Sequence, residues 1–277
     1  MINALKHHWP EYAIEAWCLG TFMVSACAFG VLLFHPASPA AGLGPGVRLV
    51  LMGLAMGLTA IAIITSPWGK RSGAHFNPAV TLTFLRLGKI KAVDAAFYVA
   101  AQFAGGLIGV ALAWSAFGKS LSDGAVNFVV TMPGIYGAGL AFAAELVISF
   151  IMMAMVLVTS NSKRGSHLTP FFAGTLVALF ITFESPISGM SMNPARTFAS
   201  AAVAGNWASV WIYFVAPTIA MLGAAELFIR TRGLKSVLCA KLYHRGRARC
   251  IFNCGWDGPG KDGTEAVGEL DTKFLTI

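Results

Sequence analysis

Two ten-residue phrases in this chain are near copies of each other. Ser72-Gly73-Ala74-His75-Phe76-Asn77-Pro78-Ala79-Val80-Thr81 and Ser188-Gly189-Met190-Ser191-Met192-Asn193-Pro194-Ala195-Arg196-Thr197 agree at six of ten positions. At roughly 5% usage per residue type, a chosen tripeptide is expected on the order of 0.03 times in a chain this long, so two Asn-Pro-Ala boxes in matched contexts mark an internal duplication. Asn is a favoured N-cap, and Pro at the first helical position has no N–H to waste and a φ already set for helix. Each box therefore starts a helix. The apolar pieces that follow, 79–87 and 195–204, are short, since ten residues of helix rise about 15 Å, half of a roughly 30 Å hydrocarbon core.

What surrounds the boxes is apolar almost without interruption from residue 13 to residue 227. Of 277 residues 56% are hydrophobic and 12% charged, against about a quarter charged in a soluble domain. This excludes disorder and disfavours a soluble enzyme. Six stretches reach or approach the roughly 20 residues a spanning helix needs: 13–34, 47–66, 92–117, 137–159, 168–183 and 208–228. Thirty glycines suit helices packed closely in a membrane. Each repeat then holds three spans with its short piece between the second and third. An odd number inverts the second copy, so the two half-helices enter from opposite faces and meet near the middle. The expected fold is an all-α membrane protein of six transmembrane helices and two re-entrant half-helices in an inverted 3+3 repeat. Its divisions are a terminus at 1–12, a channel domain at 13–230 (repeats about 13–117 and 137–230) and a basic tail at 231–277.

Charge gives the orientation. Lys6, Lys70, Arg71, Arg86, Lys89, Lys91, Lys163 and Arg164 fall on one side with the tail's Arg230, Arg232, Lys235, Lys241, Arg245, Arg247, Arg249, Lys261 and Lys273; only Arg48, Lys119 and Arg196 fall on the other. By the positive-inside bias both termini are expected in the cytoplasm of a multi-pass protein of the cell (plasma or inner) membrane. The net charge of +8 is thus a topology signal, and no nucleic-acid partner is expected. The tail is expected to be solvated rather than laid on anionic headgroups, where each Lys or Arg contributes about 1 kcal/mol. No cleaved signal peptide is expected, because acidic Glu11 precedes a first apolar run long enough to span.

Paired Asn-Pro-Ala boxes, Arg196 directly after the second, Glu15 and Glu145 early in the first and fourth spans, and Gln102 in Ala-Ala-Gln-Phe-Ala-Gly-Gly together resemble the aquaporin, or major intrinsic protein, family over roughly residues 10 to 230. The resemblance implies one pore per subunit, a homotetramer in the lipid bilayer, and a passive channel for water and small uncharged solutes such as glycerol, urea, hydrogen peroxide or ammonia. Its pore motifs are Asn77, Pro78, Ala79, Asn193, Pro194 and Ala195. A constriction toward the outer side is implied at Arg196, Met190, Ile181 and Met56, with Gly57 as the alternative to Met56. Here the chain departs from the family. Water-selective members place a histidine at the Ile181 position and an aromatic at that of Met56, while glycerol-conducting members pair aromatics with a glycine. Thr197 and Ala201, where glycerol-type members carry Asp and Lys, and Tyr213-Phe214 before Pro217, resemble the aquaporin branch.

Physical chemistry supplies a mechanism beside the likeness. Each helix N-terminus carries about half a positive charge, so two facing each other disfavour a cation between them. The Asn77 and Asn193 amides can cap their helices and still donate to a passing oxygen, which would interrupt a proton-conducting chain. Glu15 and Glu145 occupy equivalent places in the repeats and are read as structural, as are His75 and Gln102. The alternative is a proton-coupled or other secondary transporter using Glu15 and Glu145. Glu184, at the outer end of the fifth span, has no assigned role. Nothing resembles a catalytic constellation, and no enzyme activity or cofactor is expected. Cys18 and Cys27 read as small apolar residues of the first span. In the tail, Cys239, His244, Cys250 and Cys254 are a competent tetrahedral zinc set, but their spacing of four, five and three intervening residues is not the usual paired Cys-x2-Cys. Free thiols and no metal are the favoured reading there.

Overall fold

The computed structural model describes residues 2–244 and 248–257. Arg245, Arg247, Lys261 and Lys273, counted above for orientation, lie outside the described residues. Regular structure among the described residues is helical throughout. The chain runs through α1 (Ile2–Phe34), α2 (Pro45–Thr65), α3 (Pro78–Arg86), α4 (Ala92–Phe117), α5 (Gly137–Ser160), α6 (Thr169–Phe183), α7 (Pro194–Ala204) and α8 (Val210–Arg232), with short helical turns at Pro67–Ser72 and Ser185–Ser188. Six of these are long and apolar enough to cross a membrane, the fifth counted from Ser166 to Phe183. α3 and α7 are the half-helices.

The boundaries moved at both ends. α1 begins at Ile2 rather than near residue 13 and carries Pro10 inside it, so about three further turns extend the span. Its buried Tyr12 donates to Asp94 Oδ1 at 2.6 Å, which anchors the extension on α4. α8 runs to Arg232, four residues past the apolar stretch, its last turn ending on basic residues that suit a helix C-terminus.

Lipid tails are as apolar as leucine, so no hydrophobic force joins the spans to one another and close packing must do so. Glycine provides it. A Cβ on Gly105 would lie 2.1 Å from the Ala16 carbonyl oxygen, and one on Gly57 would lie 2.5 Å from that of Gly174. The α1–α4 and α2–α6 crossings are therefore backbone against backbone. α5 packs on α8 as α1 packs on α4, and each half-helix lies against a span of the other repeat, α7 on α4 and α3 on α8. This interleaving seats the two boxes on a common axis. Leu54, Leu58, Ile108, Leu112, Ile151 and Ile219 stay exposed on the outer faces, as a lipid-facing belt requires.

The solvated-tail expectation is corrected for the described part of the tail. Val237, Ala240, Lys241 and Leu242 are buried because this stretch carries apolar side chains among its charges. It folds back onto the end of the bundle where the tail leaves α8.

Candidate functional site

The backbone entering each box is held in the left-handed region at matched positions: Ala74 (φ 54°) and Phe76 (φ 30°) before the first, Met190 (φ 48°) and Met192 (φ 54°) before the second. Each costs a non-glycine residue roughly 1–2 kcal/mol, so something must hold them. Two buried carboxyl groups do. Glu15 accepts from the Ser72 hydroxyl (2.8 Å), the His75 and Phe76 amides (3.0 and 2.7 Å) and the Gln102 amide (2.8 Å). Glu145 accepts from the Ser188 hydroxyl (3.0 Å) and the Ser191 and Met192 amides (2.6 and 2.8 Å). Hydrogen bonds to a charged acceptor contribute about 1.5–3 kcal/mol each, enough to offset the strain. Tyr98 and Tyr213 complete the symmetry by donating to the Ser72 and Ser188 carbonyls.

With the entering segments fixed, Asn77 and Asn193 cap α3 and α7. Asn77 Oδ1 accepts from the Ala79 amide at 2.9 Å, and Asn193 Oδ1 from the Ala195 and Arg196 amides at 3.1 and 3.3 Å. The Asn77 amide nitrogen donates to the Met192 carbonyl and that of Asn193 to the Phe76 carbonyl, both at 2.7 Å. One N–H of each amide is thereby used across the repeat axis. The other is free for whatever passes. Pro78, Pro194, Ala79 and Ala195 are buried in the first turns behind them.

Both asparagines line one cavity of about 210 Å³. Met56, Ile181, Met190 and Arg196 all line it, as do Ile64, Val156, Met221 and the tail's Leu242. Met56 lies on the lumen, whereas Gly57 is turned into the α6 crossing. Arg196 Nη1 is buried without a protein hydrogen-bond partner, so this donor is left for the lumen. Glu15 and Glu145 are fully buried and lie behind the wall, outside the lining.

His75 also touches the lumen, but its ring is committed. Nε2 donates to the Ala240 carbonyl at 2.8 Å and Nδ1 meets the Thr81 hydroxyl at 3.1 Å, with Phe84 and Phe252 stacked on its faces. Gln102 reaches Thr81 as well as Glu15. The tail forms this end of the site: the Leu242 amide donates to the Gly73 carbonyl (3.1 Å) and the Leu238 amide to Asn161 Oδ1 (2.6 Å). The sequence reading missed Ala240, Leu242 and Phe252; their only signal was apolar residues recurring in a basic tail. Cys239, His244, Cys250 and Cys254, which their spacing did not favour as a set, have donor atoms within 4.8 Å of one another. Glu184 is buried at the C-terminal end of α6, and burial pushes its carboxyl from an ordinary 4.5 up to about 7.

An inverted-repeat membrane bundle with a lumen on its repeat axis, framed by two half-helix N-termini, is the class these features define. A model of the major intrinsic protein family matches residues 6–227, and the chain belongs to that family. It is 36% identical to aquaporin-4 of Bos taurus over 185 residues, 66% of this chain and 56% of that protein, so it spans little more than half the length of that relative. It is 31% identical to aquaporin Z of Photorhabdus laumondii over 220 residues, covering 74% of this chain and 91% of the relative. Among solved structures, the aquaglyceroporin from Plasmodium falciparum shares the fold with a TM-score of 0.65 at 20% identity, over 80% of this chain and 95% of that one.

Proposed function

We propose that the protein is a passive transmembrane channel for water and small uncharged solutes, glycerol, urea, hydrogen peroxide or ammonia among them, that excludes protons and ions. The observation that carries this is the pair of half-helix N-termini meeting at Asn77 and Asn193, each with an amide N–H left for a solute oxygen. Exclusion of protons and cations by an arginine or by the positive ends of half-helix dipoles is the general account of aquaporin-type pores, and Arg196 and the two boxes supply both. Met56, Ile181 and Met190 would surround Arg196 with an apolar, adaptable wall. Such a wall compensates poorly for a stripped hydration shell and so favours solutes with carbon or weakly hydrated surface. Glu15 and Glu145, spent on backbone donors behind the wall, speak against the transporter alternative.

The same reading places the chain as a homotetramer in the cell membrane with both termini cytoplasmic, and with the channel domain at 13–230 between the short terminus and the tail. Stopped-flow light scattering on proteoliposomes tests it, using the chain and Leu242→Ala, which withdraws the tail's side chain from the lumen. Water flux above that of protein-free vesicles in Leu242→Ala, with no accompanying proton flux, is expected. If neither protein exceeds the protein-free rate, the channel reading is wrong.

A further inference from the structure

We propose that Cys239, His244, Cys250 and Cys254 bind one zinc ion tetrahedrally, and that the ion locks the tail across the pore mouth and closes it. The closure rests on the channel reading; the metal site does not.

The donor set comes first. All four donor atoms lie within 4.8 Å of one another, with Cys239 Sγ 3.6 Å from Cys250 Sγ and His244 Nε2 3.2 Å from Cys254 Sγ. Ligands at about 2.3 Å from one tetrahedral zinc stand roughly 3.7 Å apart, so an ion fits with small adjustments. A two-iron cluster divides its ligands between two metals and spreads them more widely. Three thiols and an imidazole fill all four positions, the pattern of a structural rather than a catalytic zinc. The cysteines are free thiols, unlinked to one another. Zinc held by three thiolates carries a net negative charge, and Lys241 is placed to balance it. That side chain is buried and donates to the Ala248 and Arg249 carbonyls at 3.1 and 2.8 Å, beside Cys250. The His244 ring is stacked on Trp256 at 5.4 Å, which fixes its orientation.

A metal also explains how this segment folds. From Val237 to the described end at Asp257 the tail has neither helix nor strand among its described residues, yet it buries a lysine and two ligands. In small segments of this kind, metal binding supplies the folding free energy. What it would fold is a stopper. Cys239 and His244 bracket Ala240 and Leu242, which bond to His75 and Gly73, and Leu242 lines the lumen. Between the other two ligands, Cys250 and Cys254, Asn253 donates to the Gly88 and Lys89 carbonyls. The four ligands therefore join the plug to its moorings.

The test begins with elemental analysis of the purified full-length chain, for which one zinc per chain is expected. Cys239→Ser combined with Cys250→Ser should abolish it. Cobalt loaded in place of zinc should show the intense visible absorption of a tetrahedral thiolate site. Zinc at about 100 times its Kd favours the docked tail about a hundredfold, so chelation should raise water permeability of proteoliposomes several-fold and added zinc should reverse it. Leu242→Ala should keep its zinc yet conduct in both states. Absent or substoichiometric zinc, iron in its place, or an octahedral cobalt spectrum overturns the site. Full zinc with chelator-insensitive flux, while Leu242→Ala conducts, overturns the closure and leaves the channel standing. If no form conducts, the closure falls with the channel reading and the zinc count still decides the site.

Discussion

The Asn77 side-chain amide donates to the Met192 carbonyl at 2.7 Å, and the Asn193 amide returns the bond to the Phe76 carbonyl at the same distance. Each asparagine thus caps its own half-helix and braces the segment that leads into the other. The two boxes are one mechanical unit, and neither repeat can form its half of the pore alone.

This reciprocity predicts equal costs. Asn193→Ala loses a cap, about 1 kcal/mol, and leaves the part-buried Phe76 carbonyl without its donor, at most about 1–3 kcal/mol more. Asn77→Ala loses the same pair of interactions. Both variants are expected to melt at lower temperature in detergent by similar amounts. A deficit confined to one of them would show that the braces are not equivalent.

Glu15 and Glu145 test channel against transporter. In Glu145→Gln one carboxylate oxygen becomes an NH₂ group facing the amides of Ser191 and Met192 or the Ser188 hydroxyl, so donor meets donor in a buried site. A lower yield of folded protein is expected, by the cost of a broken buried network, roughly 2–4 kcal/mol. Protein that does fold should carry solute at a rate independent of an imposed pH gradient, as the parent chain should. Gradient-driven accumulation of solute by the parent chain, lost in Glu145→Gln, would favour the transporter instead.

Ile181→His places an imidazole beside Arg196 on the lumen wall, adding a polar partner for a stripped solute. Water permeability is expected to rise relative to glycerol permeability. If stopped-flow measurements give an unchanged ratio, Ile181 is not at the constriction.

Glu184 gives a pH signature. Its buried carboxyl is pushed from 4.5 up to about 7, so the folded protein binds the proton more tightly than the unfolded chain does. The stabilisation is complete below about 4.5 and is lost as pH rises through 7. The detergent melting temperature should therefore fall between about pH 4.5 and pH 7 and level off above that, by no more than a few kcal/mol of stability, and Glu184→Gln should flatten that fall. An identical pH profile in the variant would assign the effect elsewhere.

Much of this architecture could be read from sequence because bilayers leave little choice. A span must be apolar for about 20 residues, and Asn-Pro is a helix start wherever it occurs, so α2 through α7 began within two residues of expectation. The matched phrases forced the inverted repeat. Illegible were the features that depend on long-range contact. Nothing near Glu15 announces that it will bind the amides of His75 and Phe76, and only packing against α6 decides between Met56 and Gly57. The tail was misjudged because average charge hid Val237, Ala240 and Leu242. Its ligands were discounted because linear spacing says little about a loop without secondary structure.

Arg196 is the remaining fixed charge on the lumen. Its Nη1 has no protein partner in a buried setting, a state that costs free energy unless a solute or water completes it. Removing the guanidinium in Arg196→Ala takes away both a donor and a positive charge from the lumen wall, while the opposed half-helix dipoles remain. Water permeability in the Leu242→Ala background should persist or rise, and urea and glycerol should gain more than water because the opening widens. Proton flux should increase from its baseline yet stay below water flux, since Asn77 and Asn193 still orient the solute at the midpoint. Measured in the same vesicles with a pH-sensitive dye, unchanged solute ratios would remove Arg196 from the constriction. Proton flux rising to match that of water would show instead that the arginine, and not the paired boxes, carries the barrier.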